Sequence, residues 1–397
     1  MGIELEKPSR QSIRISEITT TPLLVPYKKP FHWAQGIIKA AEVILIEVKT
    51  DAGITGYGES IGSPSAIAVQ NLIQKAGALC IGYSPFKNNQ LMRNAYQQLF
   101  AAQGTCSTPR FGAQILAGLE MALWDVAGKA AGCAVYELLG GAVRDEIQYF
   151  GFPQGDTPEE LAEEAQHWAE QGSEVIYIKV GRGEDLDLAN IEQVRAAIGN
   201  KRLRLDANEA WDPLTASRMI RKLAAFDIEF IEQPTRSDSL SALAQVKSAS
   251  PIAIAADQCV FTPEDVYNIC HHRAADLIVL GLHETGGINR FCKAAAIAEA
   301  AGINICLHGL YETGITTCAT NQVAATLLNL DDGNQYMNHF LLEDIIKKPS
   351  LKLNRGKLPV LAGPGLGFEL DWDSVGRAHD AYKIALNSKD AAAQRNT

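Results

Sequence analysis

From about residue 146 onward, short apolar runs alternate with longer amphipathic stretches, the pattern of buried parallel strands joined by helices. Candidate strands fall at 147–152, 174–180, 202–206, 228–232, 252–257, 277–281, 303–308 and 339–343. Helices between them open on recognisable signals: Thr157-Pro158-Glu159-Glu160, Asp212-Pro213 and Thr262-Pro263-Glu264-Asp265. Each offers a side-chain oxygen to a free helical N–H and a proline where no N–H is required. Eight such units predict an α/β barrel of the (β/α)₈ kind, its last helix degenerate.

The first third of the chain has a different rhythm. Arg14–Val25 alternates with β-branched residues, and Glu42–Thr50 runs through Asp51-Ala52-Gly53 into Ile54–Glu59, a hairpin pattern. Helical periodicity follows at 64–78, 85–102 and 109–132. Strands then helices, without parallel alternation, predict a separate α+β unit. Pro359–Leu370 is Gly/Pro-rich and extended and is expected to return to that unit, and the polar tail after about residue 388 is expected to fray. The division expected is 1–135, completed by about 355–397, and a barrel from 136 to 354.

Three of the predicted strands end in a carboxylate, at Asp206, Glu232 and Asp257, 26 and 25 residues apart. The strand 27 residues before Asp206 ends in Lys179. A strand, a helix and two loops take about that many residues, so these side chains fall together at the carboxyl ends of neighbouring parallel strands. One acid after a strand normally caps a helix. Three in phase, with a lysine in phase as well, describe oxygen donors for a hard divalent cation, Mg²⁺ first and Mn²⁺ as substitute, beside an acid/base group.

Bulk properties narrow the partners. A net charge of −10 and a pI near 5.4 argue against nucleic acid or an anionic membrane. Eight cysteines without a CxxC pair read as small core residues of a reducing compartment. No apolar run reaches membrane-spanning length and the N-terminal stretch is charged, so the expected location is the cytoplasm.

The helix containing Ala122-Leu-Trp-Asp-Val-Ala-Gly-Lys-Ala-Ala-Gly and ending Tyr136-Glu-Leu-Leu-Gly-Gly, and the run from Leu203 through Asp206-Ala207-Asn208 to Ile231-Glu232-Gln233-Pro234, resemble the signatures of the mandelate racemase/muconate lactonizing enzyme family of the enolase superfamily. Shorter matches are Asp51-Ala-Gly-Ile-Thr-Gly-Tyr-Gly-Glu59, Thr285-Gly286-Gly287 and Pro364-Gly365-Leu366-Gly367, and the resemblance spans about residues 12–372. It implies a modified (β/α)₇β barrel capped by an α+β domain, Mg²⁺ held by Asp206, Glu232 and Asp257, and Lys179 as the acid/base of a Lys-x-Lys motif. The implied chemistry is removal of the proton α to a carboxylate, giving an enediolate stabilised by the metal. Such a proton is weakly acidic because its loss puts two negative charges on one small group, which a divalent cation offsets. Superfamily sites of this type are a known pattern of acid/base tuning. Homo-oligomers are common in the family and are expected here.

Three positions depart from the family pattern. Tyr177 stands at the first lysine of Lys-x-Lys. Gly281 stands where two-lysine racemases carry a second lysine, and the aspartate that partners a histidine in racemase-type members is missing from the same place. Gln258 follows Asp257 where an acid is common. His308, at the end of the seventh strand, matches the catalytic histidine of racemase-type members. Candidate substrate contacts are Tyr177, Asn208, His283 (expected to point into the mouth two residues beyond Gly281), Glu312, and His32 with Trp33 in a loop over the site. With Gly281 removing a second lysine, the expected activity is a cycloisomerase or a lyase such as a dehydratase acting on a small carboxylic acid. The alternative is a racemase or epimerase with His308 opposite Lys179. A Schiff-base aldolase would use the lysine but not the three acids.

Overall fold

The computed structural model describes residues 13–34, 36–101 and 109–395. Three long antiparallel strands open the chain: β1 (Ile15–Trp33), β2 (Gly36–Thr50) and β3 (Thr55–Ile61), in the order β1-β2-β3. Helices Ala66–Ala78 and Pro109–Ala131 cover one face of this sheet, burying Ile44, Ile46, Val48, Val69, Ile73, Leu119 and Leu123 between them. Close approach sets the glycines of β3. A Cβ on Gly58 would sit 2.1 Å from the carbonyl oxygen of Gly118, so only glycine lets strand and helix pack at this distance.

After the short β4 (Glu146–Gln148) come six parallel strands: β5 (Val175–Lys179), β6 (Arg202–Asp206), β7 (Ile228–Glu232), β8 (Ala253–Ala256), β9 (Leu277–Gly281) and β10 (Asn304–His308). They neighbour one another in chain order. Single bridges close the ring: Ile305 to Leu330, Tyr149 to Asn334 and Gly151 to Ile176, all parallel. The architecture is thus a modified TIM-type barrel with an N-terminal capping domain. Predicted caps are in place, Thr157 accepting from Glu160, Asp212 from Leu214 and Thr215, and Thr262 from Asp265.

The barrel interior is filled differently at its two ends. Two residues before the end of β6, Arg204 is fully buried, its guanidinium carbon 4.7 Å from the Phe230 ring centroid and Nη1 3.3 Å from Cys306 Sγ. Its guanidinium donates to Glu229 (2.6 Å), Asp331 (2.7 Å) and the Gly333 carbonyl (2.8 Å). Satisfying the donors in this way is what makes a buried charge tolerable. At the carboxyl ends the filling is acidic.

Some expectations need correction. The apolar run 339–343 is not a strand: Asn338–Phe340 is a short 3₁₀ turn and Leu341 makes a single bridge to Tyr27. The eighth barrel position is taken instead by the polar stretch Leu330–Asn334. The single helix expected at 85–102 is a 3₁₀ turn, an α-helix over Asn88–Tyr96 and a π-helical turn over Gln97–Ala101, with residue 102 outside the described residues. The tail does not fray at 388, since helix Trp372–Arg395 runs through it. Pro359–Leu370 does return to the N-terminal helices: Leu366 N–H donates to Asp125 (2.8 Å) and Gly365 pairs with Ala134. Among the described residues no helix is long and apolar enough to cross a membrane, and the described cysteines are free.

Candidate active site

Parallel register brings the strand-end residues into line. Lys179 pairs with Asp206 across β5 and β6, Asp206 with Glu232 across β6 and β7, and Asp257 follows the last residue of β8. On the far side of β9, His308 pairs in register with Gly281. Around the mouth the order is therefore a lysine, three carboxylates and a histidine. All three carboxylates are essentially without solvent contact, at 0–2% exposure, which decides that their charges must be answered inside the site.

Asp206 is the most heavily engaged. Its Oδ2 accepts from the Tyr177 hydroxyl at 2.7 Å and from the Lys179 ammonium, and its Oδ1 accepts from the Asn208 backbone N–H at 2.8 Å. Tyr177 thus fills the place of the family's first lysine as a neutral donor. Burial, followed by the nearby Asp206, holds its phenol well above the usual range, and Phe150 stacks flat against its ring at 4.3 Å. Asn208 reaches Asp206 through a left-handed backbone (φ 41°), and its Oδ1 is buried without a partner. Asp257 is held by the Gln233 side chain, whose Oε1 accepts from the Asp257 N–H at 3.0 Å, and by Gln258, which donates to Oδ2.

Glu232 is the frustrated member. Its Oε1 is buried with no hydrogen-bond partner. Burial first, then repulsion from Asp206 and Asp257, drives its carboxyl well above the usual range, and burial likewise raises Asp257 to about 7. An orphaned carboxylate oxygen flanked by two further buried carboxylates is what a divalent cation relieves, so the donor set fits Mg²⁺. Asp257, Glu284 and His308 also converge, their ligand atoms within 4.8 Å of one another. His308 and Glu284 already satisfy one another there, and a hard ion prefers oxygen donors alone.

Glu284 was not among the residues singled out from sequence. His308 Nδ1 lies 2.7 Å from Glu284 Oε2 and 3.6 Å from Asp257 Oδ1. Burial alone would lower the imidazole, but Asp257 and Glu284 overcome it and raise it to about 10. Nδ1–H then donates to Glu284. The acid that seemed to be missing at Gly281 arrives three residues later, on the helical turn Leu282–Thr285. Gly281 itself has an ordinary extended backbone (φ −99°, ψ 137°), yet a Cβ there would sit 1.7 Å from Glu284 Oε2. The glycine leaves room for the carboxylate.

The same turn redirects His283. Strand alternation ends at Gly281, so His283 does not join the acid cluster; it is buried with Nε2 2.8 Å from Thr316 Oγ1, and burial lowers it to about 3. Thr316 in turn donates to Glu59, a fully buried acid of β3 that also accepts from Thr313. Glu312 is buried beside this network, accepting from the Leu310 N–H at 3.0 Å, and burial first, with Glu59 next among the raising causes, raises it well above the usual range. His32 and Trp33 are the last residues of β1 rather than loop residues. His32 meets Asp156 at 3.3 Å, and Trp33 packs on the core.

Comparison with known proteins agrees with this geometry. Residues 15–140 match the mandelate racemase/muconate lactonizing enzyme N-terminal domain, and residues 160–374 match the enolase C-terminal domain-like family. The chain belongs to the mandelate racemase/muconate lactonizing enzyme family of the enolase superfamily. It is 31% identical to L-Ala-D/L-Glu epimerase of Bacillus subtilis (strain 168), over 80% of this chain and 87% of that one. It is 29% identical to muconate cycloisomerase 1 of Rhodococcus opacus, over 91% and 98%. Among solved structures, muconate lactonizing enzyme from Pseudomonas fluorescens complexed with muconolactone aligns with a TM-score of 0.85 at 29% identity, covering 92% of this chain and 98% of that one. The protein is an enolase-superfamily enzyme, and these relatives are isomerases.

Proposed function

We propose that the enzyme moves the proton α to the carboxylate of a small acid, with Lys179 as base on one side and His308, oriented by Glu284, on the other. The observation that carries this reading is the 2.7 Å His308–Glu284 pair. It supplies a partnered second acid/base group on the side where Gly281 leaves no second lysine, the absence that favoured one-sided chemistry. The best-supported reaction is therefore 1,1-proton transfer, that is racemisation or epimerisation.

Mg²⁺, held by Asp206, Glu232 and Asp257, would supply the positive charge that offsets the second negative charge of the deprotonated acid. The chain's own residues do the rest. Lys179 must shed its proton to act as base, and Asp206, now its hydrogen-bond partner, is then free to serve as a ligand. Tyr177 and Asn208 keep Asp206 in place throughout. His308 holds one proton on Nδ1 against Glu284 and presents Nε2, the atom that exchanges a proton with substrate. Burial of the whole group excludes water that would otherwise quench the transfer. In this reading the described residues within 1–135, completed by those within 355–395, cover the mouth of the barrel formed by 136–354.

A second reading rests on the same imidazole. Raised to about 10, His308 stays protonated over the physiological range, which suits an acid that protonates a β-leaving group in a dehydration. A library of hydroxy, amino and unsaturated acids incubated in D₂O separates the two. Epimerisation gives deuterium at the α-carbon with inverted configuration. Elimination gives an unsaturated or keto product, and cyclisation a lactone. Full activity in excess chelator would sink the metal-dependent chemistry altogether.

A further inference from the structure

Two acids of the capping domain are buried against the barrel, one beside each of the segments that carry His308 and Glu284. Glu59, on β3, meets the start of helix Gly314–Ala324, which follows the His308 strand end. Its Oε1 accepts from the backbone N–H groups of Thr313 (3.0 Å) and Thr316 (2.9 Å) and from the Thr316 hydroxyl (2.7 Å). Its Oε2 accepts from the Thr313 hydroxyl at 2.7 Å. Glu120, on helix Pro109–Ala131, meets the start of helix Ile288–Ala300, which follows the turn that carries Glu284. Its Oε2 accepts from the Ile288 N–H (2.7 Å), and its Oε1 from the Asn289 N–H (3.1 Å) and the Trp124 indole (2.8 Å).

Free N–H groups at a helix start favour a negative charge, and a buried carboxylate is tolerable only when its oxygens are answered. Capping alone does not require that the acid come from another domain. Helix Gly314–Ala324 already has its own cap in Thr313, whose hydroxyl accepts from the Ile315 N–H. What Glu59 adds is a tie between domains. Residues 309–313, between His308 and that helix, belong to no helix or strand, and Glu59 holds their far end. Glu284 lies on a four-residue turn with β9 before it and the Glu120-bound helix start after it. The two ties also meet through His283. Because the Thr316 hydroxyl donates to Glu59, its oxygen accepts from His283 Nε2–H at 2.8 Å, and His283 directly precedes Glu284. Lys179 is held by the barrel instead, bonded to Asp206 and 5.5 and 5.7 Å from the ring centroids of Tyr177 and Phe152.

We propose that Glu59 and Glu120 are positioning residues for the second proton-transfer group: the seating of the capping domain sets the geometry of His308 and Glu284, whereas the barrel sets that of Lys179. This rests on the functional reading above, in which the two groups serve opposite faces of one carbon.

Two readouts test it, one of them independent of substrate. In the full-length Mg²⁺-loaded protein labelled with ¹⁵N-histidine, the proton that His308 Nδ1 shares with Glu284 should give a far-downfield resonance, assigned by its loss in His308→Asn. Glu59→Gln keeps the shape but not the charge, and should move that resonance upfield or broaden it by exchange with water; Glu120→Gln should do the same. With an acid found active in the D₂O library, both variants should slow α-proton exchange on the His308 side about tenfold or more and leave the Lys179 side within about twofold. Thr316→Val keeps the Thr313 contacts to Glu59, and should give the same one-sided loss even where Glu59→Gln fails to fold. An unchanged imidazole resonance in all three variants overturns the proposal. So does an equal loss on both faces, the mark of a general loss of structure. If no acid in the library exchanges, the functional reading falls, and the resonance alone decides whether the two carboxylates hold the pair.

Discussion

Replacing Gly281 by alanine tests the histidine–glutamate pair at the point where the chain makes room for it. The added Cβ would lie 1.7 Å from Glu284 Oε2, and no real contact is that short, so the carboxylate must move by more than an ångström. The obstacle is the end of a flexible side chain and the Gly281 backbone is in an ordinary extended conformation, so the fold should survive with little change in melting temperature. The 2.7 Å contact to His308 should not. A hydrogen bond to a charged group is worth about 1.5–3 kcal/mol. Its loss should lower His308 from about 10 by roughly one to two pH units, and slow proton transfer through His308 by about tenfold to a hundredfold. NMR titration of ¹⁵N-labelled imidazole reads the first effect, and solvent deuterium incorporation with each enantiomer of an active substrate reads the second. Glu284→Gln should reproduce both, since the amide keeps the shape but not the charge. If Gly281→Ala leaves the His308 titration and both exchange rates as they were, Glu284 is not what holds the imidazole, and the two-sided reading loses its support.

Other outcomes follow from the same cluster. Asp257, raised by burial from 3.8 to about 7, favours the folded state when protonated; that contribution is complete below about pH 4 and is lost as the pH rises through about 7. The metal-free protein should therefore lose melting temperature across that window, and added Mg²⁺ should restore more of it at pH 8 than at pH 5, with Glu232→Gln shrinking the Mg²⁺ effect. Lys179→Ala should abolish base-side exchange yet leave Mg²⁺ binding equal or tighter, because Asp206 loses the cation that competes for it; calorimetry with Mg²⁺ reads this directly. Tyr177→Phe removes one donor to the Asp206 carboxylate and should lower kcat/KM by about tenfold to a hundredfold, in line with the roughly 1.5–3 kcal/mol of a hydrogen bond to a charged group, with a melting temperature close to that of the parent.

The barrel and the carboxylate row were legible because both depend on spacing. Strand-end residues one repeat apart must converge when the strands are parallel neighbours, and Lys179, Asp206 and Glu232 do so in register. The eighth barrel position was not legible. The apolar run 339–343 looked like a strand, whereas the ring closes through the polar Leu330–Asn334, whose backbone pairing leaves no hydrophobic signature. Glu284 escaped for a similar reason. A helical turn directly after β9 carries it back toward His308, and no periodicity records a side chain that folds back over its own strand end. The one sequence signal was Gly281 itself, read as a lost lysine when it marks space for a neighbour. His283 was misdirected by extending strand alternation two residues past the end of the strand.

The central claim is that two separate groups exchange protons with opposite faces of one substrate carbon. The most direct measurement follows deuterium incorporation at that carbon, enantiomer by enantiomer, in Lys179→Ala and His308→Asn loaded with Mg²⁺. Two-sided chemistry predicts complementary losses, each variant still exchanging the α-proton of one enantiomer and inert toward the other. If Lys179→Ala abolishes exchange of both enantiomers while His308→Asn exchanges as the unaltered enzyme does, a single base serves the reaction and the account is contradicted.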